Sequence, residues 1–367
     1  MHNAITRPVV LAAPAAFKGT FGPRQVAEAV AAGIRRALPG AAMLLCPISD
    51  GGDGLLDAVL PPDSRREHVP VTGPLGAPVK GVLGWVDAET AIFESATACG
   101  IALLRPEELD PLRTTTRGVG ELIREAVERG AKVVVVGLGG SATVDGGTGA
   151  GRGLGWTCRD AEGAPLPDGG GALARLADLG GGWARGLEAR VIALADVTTP
   201  LVGPEGAAPV FGPQKGAGPE GVKLLARGLE RLAQLMARHG RPDLGTLAGG
   251  GAAGGLGAGL AFFAKAQLTP GAEWVLSRVG FDAALARADF VVTGEGSFDR
   301  TSLVGKASGE VVRRAQAAKK QLAVVAGKVE GWSGVHALDG GGSVLDAAGI
   351  AALAERATRE AFGLPQA

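Results

Sequence analysis

Five loops of this chain combine glycine with side chains that bind anions or exchange protons, and each loop follows a short apolar segment. The polar residues of these loops are Lys18, Asp50, Asp53, Ser141, Thr143, Asp145, Asp196, Glu295, Asp299 and Lys306. Backbone N–H groups of glycine loops bind phosphate oxygens, and lysines neutralise phosphate charge. Carboxylates hold Mg²⁺ or accept a hydroxyl proton. This combination of groups predicts phosphoryl-transfer chemistry.

Each loop taken singly has an alternative interpretation, because glycine-rich turns follow strands in many α/β proteins. Lys18 and Lys306 could be solvated surface residues. Asp50 and Asp53 could cap a helix that begins near Leu55, and Asp145 could cap a helix in the same way. The joint occurrence of five such loops favours a site. No Walker motif and no protein-kinase signature is present in the sequence, so a kinase of this kind would hold its nucleotide differently.

The composition excludes several classes of function. Lys+Arg and Asp+Glu both number 37, which predicts no nucleic-acid partner and no attraction to anionic lipid. No apolar run reaches the roughly 18 residues of a membrane span, and "MHNAITRPVV" lacks the pattern of a secretory signal. The three cysteines are interpreted as reduced packing residues of a cytoplasmic protein. The four histidines are scattered, which disfavours a histidine metal site or a Ser-His-Asp triad.

Both ends of the chain alternate strand and helix patterns. "PVVLAAP" and "AMLLCPI" are predicted strands, and between them "RQVAEAVAAGIRRALPG" is a predicted amphipathic helix. Near the other end "ADFVVTGEG" and "QLAVVAGKV" are predicted strands that run into glycine turns, "SVLDAAG" is a weaker third strand, and "IAALAERATREAFG" is a closing helix. Five strands joined by helices predict an α/β fold, a flavodoxin-like doubly wound parallel sheet built from both chain ends.

The middle of the chain has a different pattern. Short alternating segments broken by Gly and Pro after residue 68 predict antiparallel strands, followed by the helix "RGVGELIREAVERG" and the strand "AKVVVVGLGG". We therefore expect a mixed α/β domain inserted at residues 68–281, with residues 1–67 and 282–367 forming the discontinuous flavodoxin-like domain. Residues 160–186, rich in Gly, Ala and Pro, are predicted to form a surface loop.

Seven segments of the sequence resemble, in order, those of the bacterial glycerate kinase family with the glycerate kinase type 1 fold. They are "APAAFKGT", "ISDGGDG", "TTTRGVGELI", "GLGGSATVDGG", "ADVTTPLVGPEGAAPVFGPQKGA", "GGGAAGGLGAGLAFF" and "TGEGSFDRTSLVGKA". The resemblance covers nearly the whole chain. It implies an ATP:glycerate phosphotransferase, usually forming 2-phosphoglycerate, with two α/β domains and the active site between them. The implied partners are ATP and glycerate, on a monomer or homodimer.

Positions in the loops then suggest a role for each residue. Asp196 is the expected general base, because it follows an apolar strand and faces a glycine- and proline-rich loop. Lys18 and Lys306 are the other expected catalytic residues, and Arg117 is a less favoured cation. The nucleotide is expected to contact Gly139, Gly140, Ser141, Thr143, Gly294, Glu295 and Gly296. The acceptor is expected to contact Asp50, Gln214, Lys215 and Asp299. Mg²⁺ is expected at Asp50, Glu295 and Asp299.

The sequence also departs from the family pattern. Ala15-Ala16 replaces a pair that commonly carries Asp-Ser or Asn-Ala, which removes an expected polar contact. Ala195 and Thr199 replace a common Cys and Asn, and Asp53 replaces a commoner Glu. A catalytically weakened binding or regulatory protein is therefore the alternative function. A dinucleotide-dependent oxidoreductase is a third, since "GLGGSA" approximates GxGxxA, but its ribose-binding acid would be Asp160 or Glu162, with no predicted strand ahead of it.

Overall fold

The computed structural model describes residues 7–17, 19–182, 187–303, 305–330, 336–342 and 345–365. The chain divides into two compact units, a first unit of residues 1–61 with 270–367 and a second unit of residues 62–269. The sequence-based boundaries after residues 67 and 281 lie 6 and 12 residues beyond these, and the domain assignment built on them stays a prediction. None of the described helices is long and apolar enough to cross a bilayer.

The strands of the described residues are β1 (Val9–Ala12), β2 (Ala42–Leu45), β3 (Arg66–Thr72), β4 (Pro78–Trp85), β5 (Thr90–Glu94), β6 (Val133–Gly137), β7 (Trp156–Arg159), β8 (Asp178–Gly181), β9 (Arg190–Leu194), β10 (Gln267–Thr269), β11 (Phe290–Phe298), β12 (Gln321–Val329) and β13 (His336–Asp339). The helices are α1 (Pro23–Ala37), α2 (Leu55–Val59), α3 (Ala96–Cys99), α4 (Arg117–Glu128), α5 (Thr148–Gly153), α6 (Ala207–Phe211), α7 (Pro219–Arg238), α8 (Ala252–Phe263), α9 (Gly271–Arg278), α10 (Phe281–Arg287), α11 (Ala307–Ala317) and α12 (Ala347–Ala361).

The sheet of the first unit is parallel throughout and has the order β13-β12-β11-β1-β2. Counting only the strands of this unit from the other edge, the order is 2-1-3-4-5, which is that of flavodoxin. The predicted α/β fold with a flavodoxin-like doubly wound sheet is therefore confirmed. Successive strand residues face opposite sides: Val10 packs in a cluster with α1 and α12, whereas Leu11 packs with α9, α10 and α11.

Helices α1 and α12 approach closely at Gly33. A Cβ atom at this position would lie 1.9 Å from the carbonyl oxygen of Ala351. We expect Gly33→Ala to lower the free energy of unfolding by about 1–3 kcal/mol through overpacking, even though alanine has the higher helix propensity. Urea unfolding measures this, with Gly40→Ala as the control because nothing lies within 4 Å of that Cβ. An unchanged or raised midpoint for Gly33→Ala would contradict the packing described.

The second unit contains a mixed six-stranded sheet with the order β10-β9-β6-β5-β4-β3. The first four of these strands are parallel, and β4 and β3 add as an antiparallel pair. The predicted antiparallel strands, the helix α4 and the strand β6 are thus confirmed. The register aligns Glu94, Gly137 and Leu194 at the ends of β5, β6 and β9, so the loops after these strands begin at one edge.

Three sequence-based element predictions were wrong. The third C-terminal strand is β13 at His336–Asp339 rather than "SVLDAAG", whose last residues begin α12. The glycine turns expected at Gly294–Gly296 and at Gly327 are not formed, because β11 and β12 stay paired up to Phe298 and Val329. The supposed surface loop 160–186 contains a 3-10 turn at Gly170–Arg175 and β8, and it buries apolar side chains, Leu173, Leu176 and Leu179. Residues 183–186 lie outside the described residues.

Candidate active site

A cleft of about 390 Å³ opens at the carboxyl ends of the strands in the first unit. It lies where the strand order reverses between β1 and β11, which is the position at which open α/β sheets bind ligands. Its lining residues come from the loops after β1 and β2, from the ends of β11 and β12, and from the start of α11. The polar ones are Thr20, Ser49, Asp50, Asp53, Glu295, Ser297, Lys306, Ser308 and Lys328. The cleft therefore contains carboxylates, lysine ammonium groups and the N-terminal end of α11.

Glu295 organises the cationic side of this cleft. Its carboxylate accepts a hydrogen bond from the Ser308 hydroxyl and lies 3.6 Å from the Lys306 ammonium. Lys306 also donates to the Ser302 hydroxyl at 3.3 Å, and its side chain keeps 37% of its surface exposed. Glu295 is only 13% exposed. The carboxylate therefore orients Lys306 and Ser308 in the cleft, and the ammonium stays accessible to an anion.

Asp50 contributes the carboxylate on the opposite side of the cleft. One of its oxygens accepts the amide of Gly52 at 3.0 Å, in a turn that Ser49 also supports by accepting the amide of Gly51 at 3.2 Å. The residue at the N-cap position of α2 is Gly54, which directly follows Asp53. Both carboxylates line the cleft, and the capping alternative for these two residues stays a prediction.

The remaining predicted residues of the first unit lie elsewhere. Asp299 accepts the amides of Thr301 and Ser302 at 2.7 and 3.2 Å, so it caps the 3-10 turn that follows β11. The Thr301 hydroxyl and these amides hold the pKa of the Asp299 carboxyl below its usual range. Gly294 is buried inside β11, where its carbonyl accepts the amide of Ala15 at 2.8 Å. Lys18 lies outside the described residues.

The second unit has a turn after β6 in which Gly140 is exposed, Gly139 is half-buried and Ser141 is buried. Gly140 has the left-handed φ of 59°, and the turn is fixed to the chain before it by Ile101, whose amide donates to the Gly140 carbonyl at 2.7 Å. The amides of Gly139, Gly140 and Ser141 make no hydrogen bond to any residue that the structure describes. Successive unpaired N–H groups in such a turn form a concave anion site. The geometry of Gly139–Ser141 therefore suits a phosphate oxygen.

Lys215 lies beneath this turn rather than beside it. Its side chain is buried, and the ammonium donates to the Ser141 hydroxyl at 2.9 Å and to the Thr143 carbonyl at 2.8 Å. Thr143 is itself fully buried, whereas the neighbouring Gln214 is exposed. Of these four predicted contact residues, only Gln214 therefore presents an accessible side chain in this structure.

Asp145 is fully buried and caps α5, as one alternative proposed. Its carboxylate accepts the amides of Gly147 and Gly149 at 3.0 and 3.1 Å, and the amide and hydroxyl of Thr116 at 2.9 and 2.8 Å. Burial raises the pKa of this carboxyl, although the four hydrogen bonds oppose the shift. Asp145 therefore ties the loop after β6 to the start of α4.

Asp196 is half-buried and follows β9 by two residues. Since Leu194 pairs with Gly137, Asp196 and the Gly139–Ser141 turn leave neighbouring strands at the same edge of the sheet. Arg117, the less favoured cation, is instead paired with Asp168 at 3.1 Å. That pair joins α4 to the segment before β8.

Sequence reasoning missed several residues of the first-unit cleft, among them Ser297, Ser308 and Lys328. Ser308 stands in the first turn of α11, two residues after Lys306, and a hydroxyl at the start of a predicted helix was the available signal. The argument against the oxidoreductase assumed no strand before Asp160, and that assumption was wrong because β7 ends at Arg159. However, β7 pairs with β8 in a separate two-stranded sheet and does not extend the parallel sheet beside β6.

The sequence profile of the glycerate kinase family matches residues 10–361 of this chain. The chain belongs to the glycerate kinase family. It is therefore a kinase, and the family membership predicted from seven ordered motifs is confirmed.

Curated members of the family support this over most of their length. The chain is 38% identical to the glycerate 2-kinase of Escherichia coli (strain K12) over 352 residues, covering 93% of this chain and 91% of that protein. It is 38% identical to the glycerate kinase of Bacillus subtilis (strain 168), covering 87% and 85%. A crystal structure of a candidate glycerate kinase 2 from Salmonella typhimurium LT2 superposes with a TM-score of 0.82 at 38% identity, over 97% of this chain and 98% of that one.

Proposed function

We propose that this chain catalyses ATP- and Mg²⁺-dependent phosphorylation of the 2-hydroxyl of glycerate, giving 2-phosphoglycerate and ADP. The observation that carries the proposal is the family match over residues 10–361, which includes relatives named glycerate kinase and glycerate 2-kinase. The anion-binding elements at the carboxyl edges of both sheets support it. They are the Gly139–Ser141 turn and the start of α11 with Lys306.

Phosphate groups would be held by backbone amides in this proposal. The amides of Gly139, Gly140 and Ser141, which have no hydrogen-bond partner among the described residues, would donate to phosphate oxygens. The first turn of α11 supplies further N–H groups beside Lys306 and Ser308 in the other unit. Lys306, together with Lys18, would balance the negative charge of the transferred group.

Mg²⁺ fits the cleft best at Asp50. No group of three or more His, Cys, Asp or Glu side chains suited to a metal occurs in the described part of the chain. That agrees with a cation which takes one or two carboxylates and otherwise binds phosphates and water. Within the described ranges, one carboxylate oxygen of Asp50 accepts no amide, whereas Glu295 holds Ser308 and Asp299 caps a turn. When bound, the ion would neutralise charge on the phosphate oxygens.

Asp196 is the proposed general base. In the transfer, the glycerate O2 atom forms a bond to the γ-phosphorus while the bond from that phosphorus to the β,γ-bridging oxygen breaks. The proton of the 2-hydroxyl passes to the Asp196 carboxylate, and ADP leaves with the bridging oxygen. The position of Asp196 just after β9 supports this role, because a carboxylate next to a paired strand has a defined position.

Release of ADP with different acceptors tests the proposal. We expect Mg²⁺-dependent ADP formation with glycerate, and slower formation with lactate, which keeps the 2-hydroxyl. We expect none with 3-hydroxypropionate, which lacks that hydroxyl, and none after addition of excess EDTA. Equal rates with and without glycerate would refute a glycerate kinase. Turnover of 3-hydroxypropionate but not lactate would refute transfer to O2.

One observation favours the alternative of a catalytically weakened binding protein. Ala15 and Ala16 line the first-unit cleft and offer no polar side chain there. Calorimetric titration with glycerate and a non-hydrolysable ATP analogue separates the two functions. Binding of both ligands without any ADP formation would establish the weakened protein, whereas binding with turnover supports the kinase.

A further inference from the structure

Lys215 is a buried lysine whose ammonium donates hydrogen bonds to other groups of the protein. The ammonium lies 2.9 Å from the Ser141 hydroxyl and 2.8 Å from the Thr143 carbonyl, and the side chain also lies against the ring of Phe211. Lysine is almost never fully buried unless its ammonium is paired, because burial removes the hydration of the charge. A substrate-binding lysine would expose its ammonium, and Lys215 is only 3% exposed.

The segment held by Lys215 is also fixed from the other side. Gly254, with a left-handed φ of 71°, leaves no room for a Cβ, which would lie 1.9 Å from the Thr143 carbonyl oxygen. Gly146 donates its amide to the Gly254 carbonyl at 3.1 Å. Ala253, just before Gly254, has φ 52°, a strained conformation for a residue with a side chain. The start of α8 is therefore shaped to receive this loop.

The described titratable groups next to Lys215 are Asp145 and Cys99. Burial lowers the pKa of Lys215 to about 8, and the charge of the Asp145 carboxylate opposes that shift. Burial raises the pKa of the Cys99 thiol to about 12, and Asp145 adds to the effect, so the thiol stays neutral near pH 8. Lys215 is thus the group of this cluster expected to change its charge in the weakly alkaline range.

We propose that Lys215 is a positioning residue, whose ammonium holds Ser141 and the Thr143 carbonyl so that the amides of Gly139, Gly140 and Ser141 converge on a phosphate. This inference rests on the proposed function only for its kinetic consequences. It replaces the expectation that Lys215 contacts the acceptor. The positive charge beneath the turn would also attract the anion above it.

The pH dependence follows from the direction of the shift. Lys215 is protonated below about pH 8 and neutral above it. A neutral amine still donates hydrogen bonds, but these are weaker than charge-assisted ones, and the positive field is lost. We therefore expect the KM for ATP to rise as the pH increases through about 8 in the parent, and to stay flat over this range in Lys215→Met.

Hydrogen exchange without substrate tests the structural part of the inference. We expect the hydrogen-bonded amides that flank the turn, those of Ile101 and Ala142, to exchange about tenfold faster or more in Lys215→Met, the factor for loss of one charge-assisted hydrogen bond. Lys223→Met is the matched control, because Lys223 is exposed on α7 and forms a surface ion pair with Glu220. Ser141→Ala removes one acceptor without touching the charge. This variant should raise the amide exchange rates by a smaller factor, and it tests the positioning role if Lys215→Met does not fold.

Kinetics supply the second readout. We expect Lys215→Met to lower kcat and raise the KM for ATP while the KM for glycerate stays within about twofold of the parent value. Unchanged exchange at the amides of Ile101 and Ala142, or a strong rise confined to the KM for glycerate, would overturn the positioning role. A parent protein inactive on glycerate would refute the proposed function, and the exchange experiment would still decide the role of Lys215.

Discussion

Asp196→Asn is expected to lower kcat by roughly 10²–10⁴, the range for loss of a general base. Asparagine is nearly isosteric with aspartate but cannot accept the proton of the attacking hydroxyl. The melting temperature and the affinity for an ATP analogue should stay close to those of the parent. Steady-state kinetics, thermal unfolding and calorimetric titration of this one variant measure all three quantities.

A turn-capping aspartate is the competing interpretation of Asp196, and it predicts a different outcome. Asparagine is itself a good cap, so a capping role would leave kcat almost unchanged. Asp160 supplies the matched control, because it supports a turn by accepting the amide of Ala164 at 2.8 Å in the same unit. Asp160→Asn should retain parental kcat. Parental kcat in Asp196→Asn would remove Asp196 from the mechanism and make Asp50 the next candidate base.

Lys306→Met is expected to reduce kcat/KM by about 10²–10³, the effect of removing one group that stabilises charge in a transition state. The stability of the fold should change little. The pair with Glu295 is 3.6 Å long and the lysine is 37% exposed, so solvent screens the interaction. Kinetics with ATP and with glycerate as the varied substrate would show which substrate loses affinity.

Lys319→Met is the control for this variant, since it also removes one lysine charge from the first unit. Lys319 is exposed just beyond the opposite end of α11 from Lys306. We expect parental kinetics from it. If Lys306→Met and Lys319→Met both behave like the parent, Lys306 is a surface residue and the cationic side of the cleft has been wrongly assigned.

Local sequence patterns were sufficient to predict most of the fold. At both chain ends the strands are short continuous apolar runs and the helices have a period of 3.6 residues, and their alternation gave the flavodoxin-like sheet. The strand β13 was not predicted, because only four residues, "HALD", form it and its pairing with β12 is long-range. The continuation of β11 through Gly294 and Gly296 was also not predicted, because pairing with β12 outweighs the preference of glycine for turns.

The candidate site was predictable to the level of loops but not of individual side chains. Parallel topology places the loops of Asp50, Glu295 and Lys306 at one edge, and the cleft contains all three. The role of Lys215 depends on hydrogen bonds to residues 74 and 72 positions earlier in the chain, which no local pattern reveals. Asp299 likewise is close to Glu295 in the sequence, but its carboxylate accepts the amides of the turn that follows β11.

Phosphorus NMR of the products formed from ATP, Mg²⁺ and glycerate tests the central claim most directly. A phosphate on O2 is coupled to the single proton on C2, so the new proton-coupled resonance is predicted to be a doublet beside the signals of ADP. A triplet would place the phosphate on O3, next to two protons, and contradict the proposed regiochemistry. Absence of any new organic phosphate with either enantiomer of glycerate would contradict the proposed function itself.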